Sequence, residues 1–166
     1  MLSHGPSARP GWSAARGLSW RIEPRKSSTR VVLFGPLDRH AELADLVKAL
    51  PGDGPLELHL GAVTRVDPYG VRAWLGLRVA LGARTLTLTH LSPPVVDAVN
   101  QVSGFAEARA VRSLYVVFGC DRCRRAEERL VELDAGKQVA PRPTCERCGA
   151  ALTLADLAER VWGFLR

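Results

Sequence analysis

Four cysteines are the residues in this chain best equipped for chemistry. Cys120 and Cys123 form one Cys-x-x-Cys pair, Cys145 and Cys148 form another, and 21 residues lie between them. Each pair can set two thiolates on one turn, and two such turns facing each other close a tetrahedral site. Gly149, directly after the second pair, permits the positive φ that such a knuckle often requires. Thiolates suit zinc, and four protein ligands leave no coordination position open for catalysis. A rubredoxin-like iron site uses similar ligands and a redox dithiol uses one such pair, but two pairs at ribbon spacing favour structural Zn²⁺. Four thiolates around one Zn²⁺ carry excess negative charge, which Arg122, Arg124, Arg125 and Arg147 are close enough in sequence to offset.

Other reactive groupings are sparse. His4, His40, His59 and His90 are scattered, with no pair at helical metal-binding spacing, although His59 and His90 both alternate with apolar residues and can share a sheet face. The chain contains neither a phosphate-binding glycine loop nor a Gly-x-Ser-x-Gly elbow. The expectation is a protein that is not an enzyme.

The elements that must carry these residues are legible from periodicity. Ser19–Glu23 reads as a short strand. Arg30–Phe34 is a strand apolar on both faces, hence central in its sheet, and Gly35-Pro36-Leu37-Asp38 is expected to break it. A helix spans about His40 to Leu50, with Leu43, Leu46, Val47 and Leu50 on one face, and Pro51-Gly52-Asp53-Gly54-Pro55 ends it. Leu56, Leu58 and Leu60 alternate with Glu57 and His59, giving a strand with one buried face. It leads through Val66 into the acidic turn Asp67-Pro68-Tyr69-Gly70. Asp67 can accept from free amides at a helix start and Pro68 suits the first helical position; Val71, Trp74, Leu75 and Leu81 then form an apolar stripe. Thr85–Leu91 is a half-exposed strand. Ser92-Pro93-Pro94 starts a helix with Val95, Val99 and Val102 inward, Gly104 closes it, and Arg112–Phe118 is a further strand.

Strands alternating with helices predict an α/β layer with much parallel pairing, its one sheet face less covered than the other. Beyond it, a short helix is expected from Arg124 to about Leu133, then a Pro-rich return at Ala140–Pro143, and a last helix over about Leu154–Leu165 with Leu157, Val161, Phe164 and Leu165 on one side. The predicted organisation is a disordered basic tail over 1–18, an α/β domain over 19–118 and a four-cysteine zinc-ribbon domain over 119–166.

Charge and composition restrict the partners. The net charge is +6, but residues 1–30 carry six Lys/Arg against one acid, residues 31–119 eight of each, and residues 120–166 nine against eight. The basic excess belongs to the tail, which disfavours nucleic acid as the partner of the folded part. Apolar runs are far too short for a membrane helix. Met1–Trp20 lacks an apolar signal core, and paired cysteines in a chain without one point to a reducing compartment, the cytoplasm.

Gly35-Pro36-Leu37-Asp38, the turn Asp67-Pro68-Tyr69-Gly70 and the element order together resemble the STAS domain of anti-sigma factor antagonists, over about residues 20–118. The resemblance implies a STAS-like mixed sheet and a regulatory domain that binds a partner protein, such as an anti-sigma factor kinase-like or sensory-complex protein. In the phosphorylatable members the turn reads Asp-Ser-Ser-Gly, the second serine being the kinase target. Asp67 and Gly70 match that pattern, while Pro68 and Tyr69 stand where the serines would be. The resemblance therefore implies a partner surface at Asp38, Asp67, Pro68, Tyr69 and Gly70, without the serine switch. Read without it, Asp67 caps a helix, Pro68 starts it and Tyr69 packs.

Overall fold

The computed structural model describes residues 17–134, 137–138 and 143–165. Most of the expected tail over 1–18 and of the return at Ala140–Pro143 lies outside them. Leu18, at the end of that tail, is buried in the core and so belongs to the folded part. The first sheet takes the order β1 (Ser19–Pro24), β2 (Thr29–Leu37), β3 (Leu56–Val66) and β4 (Leu86–Thr89). β1 runs antiparallel to β2, whereas β2–β3 and β3–β4 are parallel, so the sheet is mixed and the fold is α/β. β2 is an inner strand, as its two apolar faces require.

Three helices fill the crossovers: α1 (Leu43–Ala49), α2 (Pro68–Leu81) and α3 (Pro93–Gln101). Val31, Leu33, Leu56, Leu58, Leu60 and Leu88 project to the covered face and are buried to within 1 % of complete. The alternate residues Arg30, Val32, Glu57, His59, Thr87 and Thr89 are only half-buried, so one face is less covered than the other, as the Leu/Thr/Glu/His alternation predicts. Trp74 anchors α2: it is fully buried, its ring lies 4.9 Å from that of Phe105, and its indole N–H donates to the Phe105 carbonyl at 2.7 Å. The inward stripe of α2 is Gly70, Trp74 and Leu77; Leu75 is half-exposed, because the helix is rotated to set Trp74 at the centre of the contact.

β2 does not stop at Gly35. It continues to Leu37 through register shifts against β3 between Val32 and Phe34 and between Gly35 and Pro36. Gly35 has φ 95°, so the expected break is accommodated as an irregularity within the strand.

β5 (Ser113–Cys120) joins the two parts of the chain. Its start runs beside the end of β4, with Leu91 N–H donating to Ser113 O at 3.0 Å and Tyr115 N–H to Leu91 O at 2.8 Å. Its far end pairs antiparallel with β6 (Arg125–Asp134) and β8 (Thr153–Leu154), and β7 (Lys137–Gln138) flanks β6. The expected boundary at 118/119 falls inside β5. The helix expected from Arg124 to Leu133 is instead the strand β6. Its Glu- and Arg-rich composition suits a helix, but Val131 and Leu133 point inward two residues apart and β5 offers an open edge; tertiary pairing overrides propensity.

The last helix is shorter than expected, α4 (Ala158–Trp162) followed by a single tight turn over Gly163–Leu165. Val161, Trp162, Phe164 and Leu165 pack against the core while Leu157, at the N-cap, is exposed. Asn100 of α3 holds this end, its side-chain amide donating to Arg160 O and its carbonyl accepting from Phe164 N–H at 2.6 Å. None of the helices among the described residues is long and apolar enough to cross a membrane.

Candidate functional site

Each cysteine pair sits on a hairpin turn built the same way. After Cys120 the chain turns so that Arg124 N–H donates to Cys120 O at 2.7 Å; after Cys145, Gly149 N–H donates to Cys145 O at 2.9 Å. The residue that closes each turn has positive φ, 51° at Arg124 and 70° at Gly149. Glycine is the natural residue there, and Arg124 accepts the strained conformation because the turn demands it. Cys123 N–H also points at Cys120 Sγ, 3.4 Å away.

The two knuckles face each other. All four Sγ atoms lie within 4.8 Å of one another, with Cys120 to Cys148 at 3.6 Å and Cys123 to Cys145 at 4.0 Å. A tetrahedron of thiolates about 2.3 Å from a metal has edges of about 3.8 Å, so the cluster has the size of a metal site. Cys120 and Cys145 are buried, Cys123 and Cys148 half-buried. The thiol of Cys123 is pushed up to about 12, first by the neighbouring Cys148 sulfur, then by burial and by Cys120 and Cys145. Sulfurs packed this closely keep their protons unless a cation takes the charge. The four cysteines singled out by spacing thus come together as a group able to hold a metal ion.

A charged brace behind the knuckles was not visible in the sequence. The Cys145 thiol donates to Glu127 Oε1 at 3.1 Å, Glu127 Oε2 accepts from Arg129 at 2.6 Å, and Arg129 also binds Glu146 of the second knuckle. The Cys145 thiol and then the Arg129 guanidinium hold the Glu127 carboxyl below its ordinary value. Glu127 and Arg129 share one face of β6, a relation that only a strand assignment reveals. Arg129 is thus linked to the cluster through Glu127. Arg122, Arg124, Arg125 and Arg147 are exposed around it, without an ion-pair partner among the described residues.

The second group lies at the C-terminal ends of β2 and β3, on the turn that starts α2. Asp67 N–H donates to Leu37 O at 3.1 Å, and Asp67 Oδ1 caps α2 by accepting from Gly70 N–H at 2.8 Å. Pro68 occupies the first helical turn. Gly70 is pressed against the end of β2: a Cβ there would sit 1.8 Å from Leu37 O, so only glycine fits. Asp38 is buried, accepting from His40 N–H at 2.9 Å and from Arg65 at 2.8 Å. The His40 amide and then the Arg65 guanidinium lower its carboxyl against the opposing effect of burial. Asp38, Asp67, Pro68, Tyr69 and Gly70 are thus gathered at one end of the sheet, and Tyr69 is 64 % exposed. Arg65 is the member that sequence reasoning missed, its signal being only the continued alternation of β3.

His59 and His90 do share the open sheet face, their rings stacked 4.2 Å apart, with Tyr115 6.0 Å from His90. Burial, then the charges of His90 and Arg30, lower His59 to about 4. A scan against protein-family models gave no match, and a search of curated proteins found no relative of this chain.

Proposed function

We propose that this chain is a non-catalytic regulatory interaction module, similar to an anti-sigma factor antagonist, whose STAS-like sheet docks a signalling or sigma-regulatory protein while a four-cysteine zinc ribbon braces its C-terminal part. The observation that carries this reading is the presentation of Tyr69. An aromatic ring 64 % exposed sits on a turn fixed by the Asp67 cap, the Gly70–Leu37 contact and the Asp38–Arg65 pair. A large rigid side chain on an immobile platform loses little entropy on binding, which suits an interface anchor. With Tyr69 in place of a serine, partner binding proceeds without a serine phosphate. Zinc is the metal that four thiolates favour, and a saturated ligand set makes its role structural.

The test is capture of partners from a cell extract with the full chain, followed by affinity measurement with Tyr69→Ala. We expect a loss of about 1–2 kcal/mol in binding, a common range for a contributing interface aromatic, with folding unchanged. Equal affinity of the variant would leave the turn as a helix start and nothing more. A second reading, nucleic-acid contact through the ribbon, draws on the four exposed arginines of the knuckles, which have no ion-pair partner among the described residues. It requires an affinity for duplex that falls steeply with salt.

A further inference from the structure

The segment from 31 to 119 is electrically neutral, yet its charges are not evenly spread. Four of its eight basic residues, Arg78, Arg84, Arg109 and Arg112, line one cavity of about 510 Å³. Among the described residues one acid, Glu107, lines the cavity with them. The cavity lies where α2 ends and β4 begins, away from both the cysteines and Tyr69.

The arginines are held in place more than they are neutralised. Arg84 is committed to the carbonyls of Gly54 and Pro51. Arg78 donates to Phe105 O at 3.4 Å, and its guanidinium stays 3.8 Å from Glu107, which pairs closely, at 2.7 Å, with Arg109. Among the described residues the one carboxylate paired with Arg112 is that of Asp134, at 3.7 Å and 84 % exposed. Three guanidinia thus share two carboxylates, two of the three contacts are long, and the Arg109 side chain is 83 % exposed at the rim. Surface arginines of this kind usually serve only to complement a helix C-terminus or to stay solvated. Arg78 alone needs that explanation; it does not account for Arg109 and Arg112 arriving from a separate loop.

We infer that this cavity binds a small phosphate monoester, its phosphoryl group forked by Arg109 and Arg112 and its organic part resting on Leu81, Leu86 and Ala110. Guanidinium forks match the oxygens of a phosphoryl group in two-pronged fashion, and Thr85 and Thr87 of the same wall add hydroxyl donors. The volume exceeds what a bare phosphate fills, which is the reason for assigning an organic body. The site is independent of the interaction surface proposed above.

The test is a ³¹P NMR titration of the full-length, metal-loaded chain with inorganic phosphate, a nucleoside monophosphate and a sugar phosphate. At least one of the two monoesters is expected to bind saturably, and more tightly than inorganic phosphate by about tenfold or more, with Arg109→Gln and Arg112→Gln each weakening it about tenfold, the scale of a lost charge-assisted hydrogen bond. Arg72→Gln, exposed on α2 outside the cavity, leaves binding unchanged. Glu107→Gln removes the competing carboxylate and tightens binding, which keeps the inference testable if an arginine variant fails to fold. Absence of saturable binding for both monoesters would overturn it. So would equal losses with Arg72→Gln, which mean diffuse attraction, or a Glu107→Gln variant that binds no better.

Discussion

The α/β layer and the cysteine end of this molecule are held together by different forces. Each of the twelve largest fully buried side chains lies between Leu33 and Leu114, and none comes from the cysteine end. That end contributes Phe118, Val131, Leu133 and Leu152 to the shared core, and Leu154, Val161, Trp162, Phe164 and Leu165 pack partly buried against it, but around the cysteines themselves the contacts are thiols, ion pairs and short hairpins. Apolar burial stabilises by roughly 25 cal/mol per Å², and a region poor in it needs another source of free energy. The sheet is therefore specified by many interchangeable apolar contacts around Trp74 and Phe105, whereas the knuckles depend on four particular sulfur atoms.

Removing one of the four cysteines is the sharpest way to test that contrast. Binding free energies of structural zinc are roughly 10–16 kcal/mol in small peptides, so Cys145→Ser is expected to abolish stoichiometric zinc and unfold the hairpins. Protection from hydrogen exchange in β2 and β3 should survive. Elemental analysis beside exchange mass spectrometry decides it, and loss of protection throughout would mean that the two parts stand or fall together. The converse experiment removes the sheet's anchor. Trp74→Ala deletes a fully buried ring together with its hydrogen bond and its stack on Phe105. Such truncations cost about 3–5 kcal/mol, and denaturant unfolding should show that loss with one zinc per chain retained.

A smaller effect separates the two by pH. His59 titrates at about 4 in the folded chain against about 6.5 unfolded, chiefly because burial disfavours its charge. The unfolded chain therefore takes up more protons as pH falls through that window, and the contribution of His59 is lost between about pH 6.5 and 4, with no further loss from this group below. The ring is partly in solvent, so the loss is about 1–2 kcal/mol once screening is allowed for. His59→Phe keeps a ring against His90 and should flatten this dependence relative to the parent chain measured at each pH. An unchanged slope would assign the acid sensitivity to other groups, the lowered carboxyls of Asp38 and Glu127 among them.

The same contrast governs what was readable in the sequence. Where one force dominates, pattern suffices: Leu56, Leu58 and Leu60 gave β3 its buried face, and the cysteine spacing gave the cluster. The Asp67 cap was equally plain, since Asp-Pro before an apolar stripe has few other meanings. Failures came where local preference and tertiary pairing disagree. Arg125–Asp134 has helical composition, but a strand edge claimed it, and with that misreading went the Glu127–Arg129–Glu146 brace. Ser92 starts α3 as the sequence implies and sits at its N-cap, yet its hydroxyl donates across the fold to Val63 O at 2.7 Å rather than to the helix. The arginine cavity assembles residues from 78 to 112, a convergence that no short window contains.

β5 carries a consequence for the order in which the molecule is made. One continuous strand buries Leu114 and Val116 against the sheet and then presents Cys120. During synthesis the strand can dock on β4 while the ribosome is still adding the stretch that ends at Cys148. The first cysteine pair is then already tethered to a folded surface when the second emerges, and only the 21 intervening residues remain to be closed. The loop is 21 residues long whether or not the sheet has folded, so its closure cost is unchanged; what docking removes beforehand is the conformational freedom of the strand that ends at Cys120. The sheet would thus serve the nascent chain as a jig for its four cysteines.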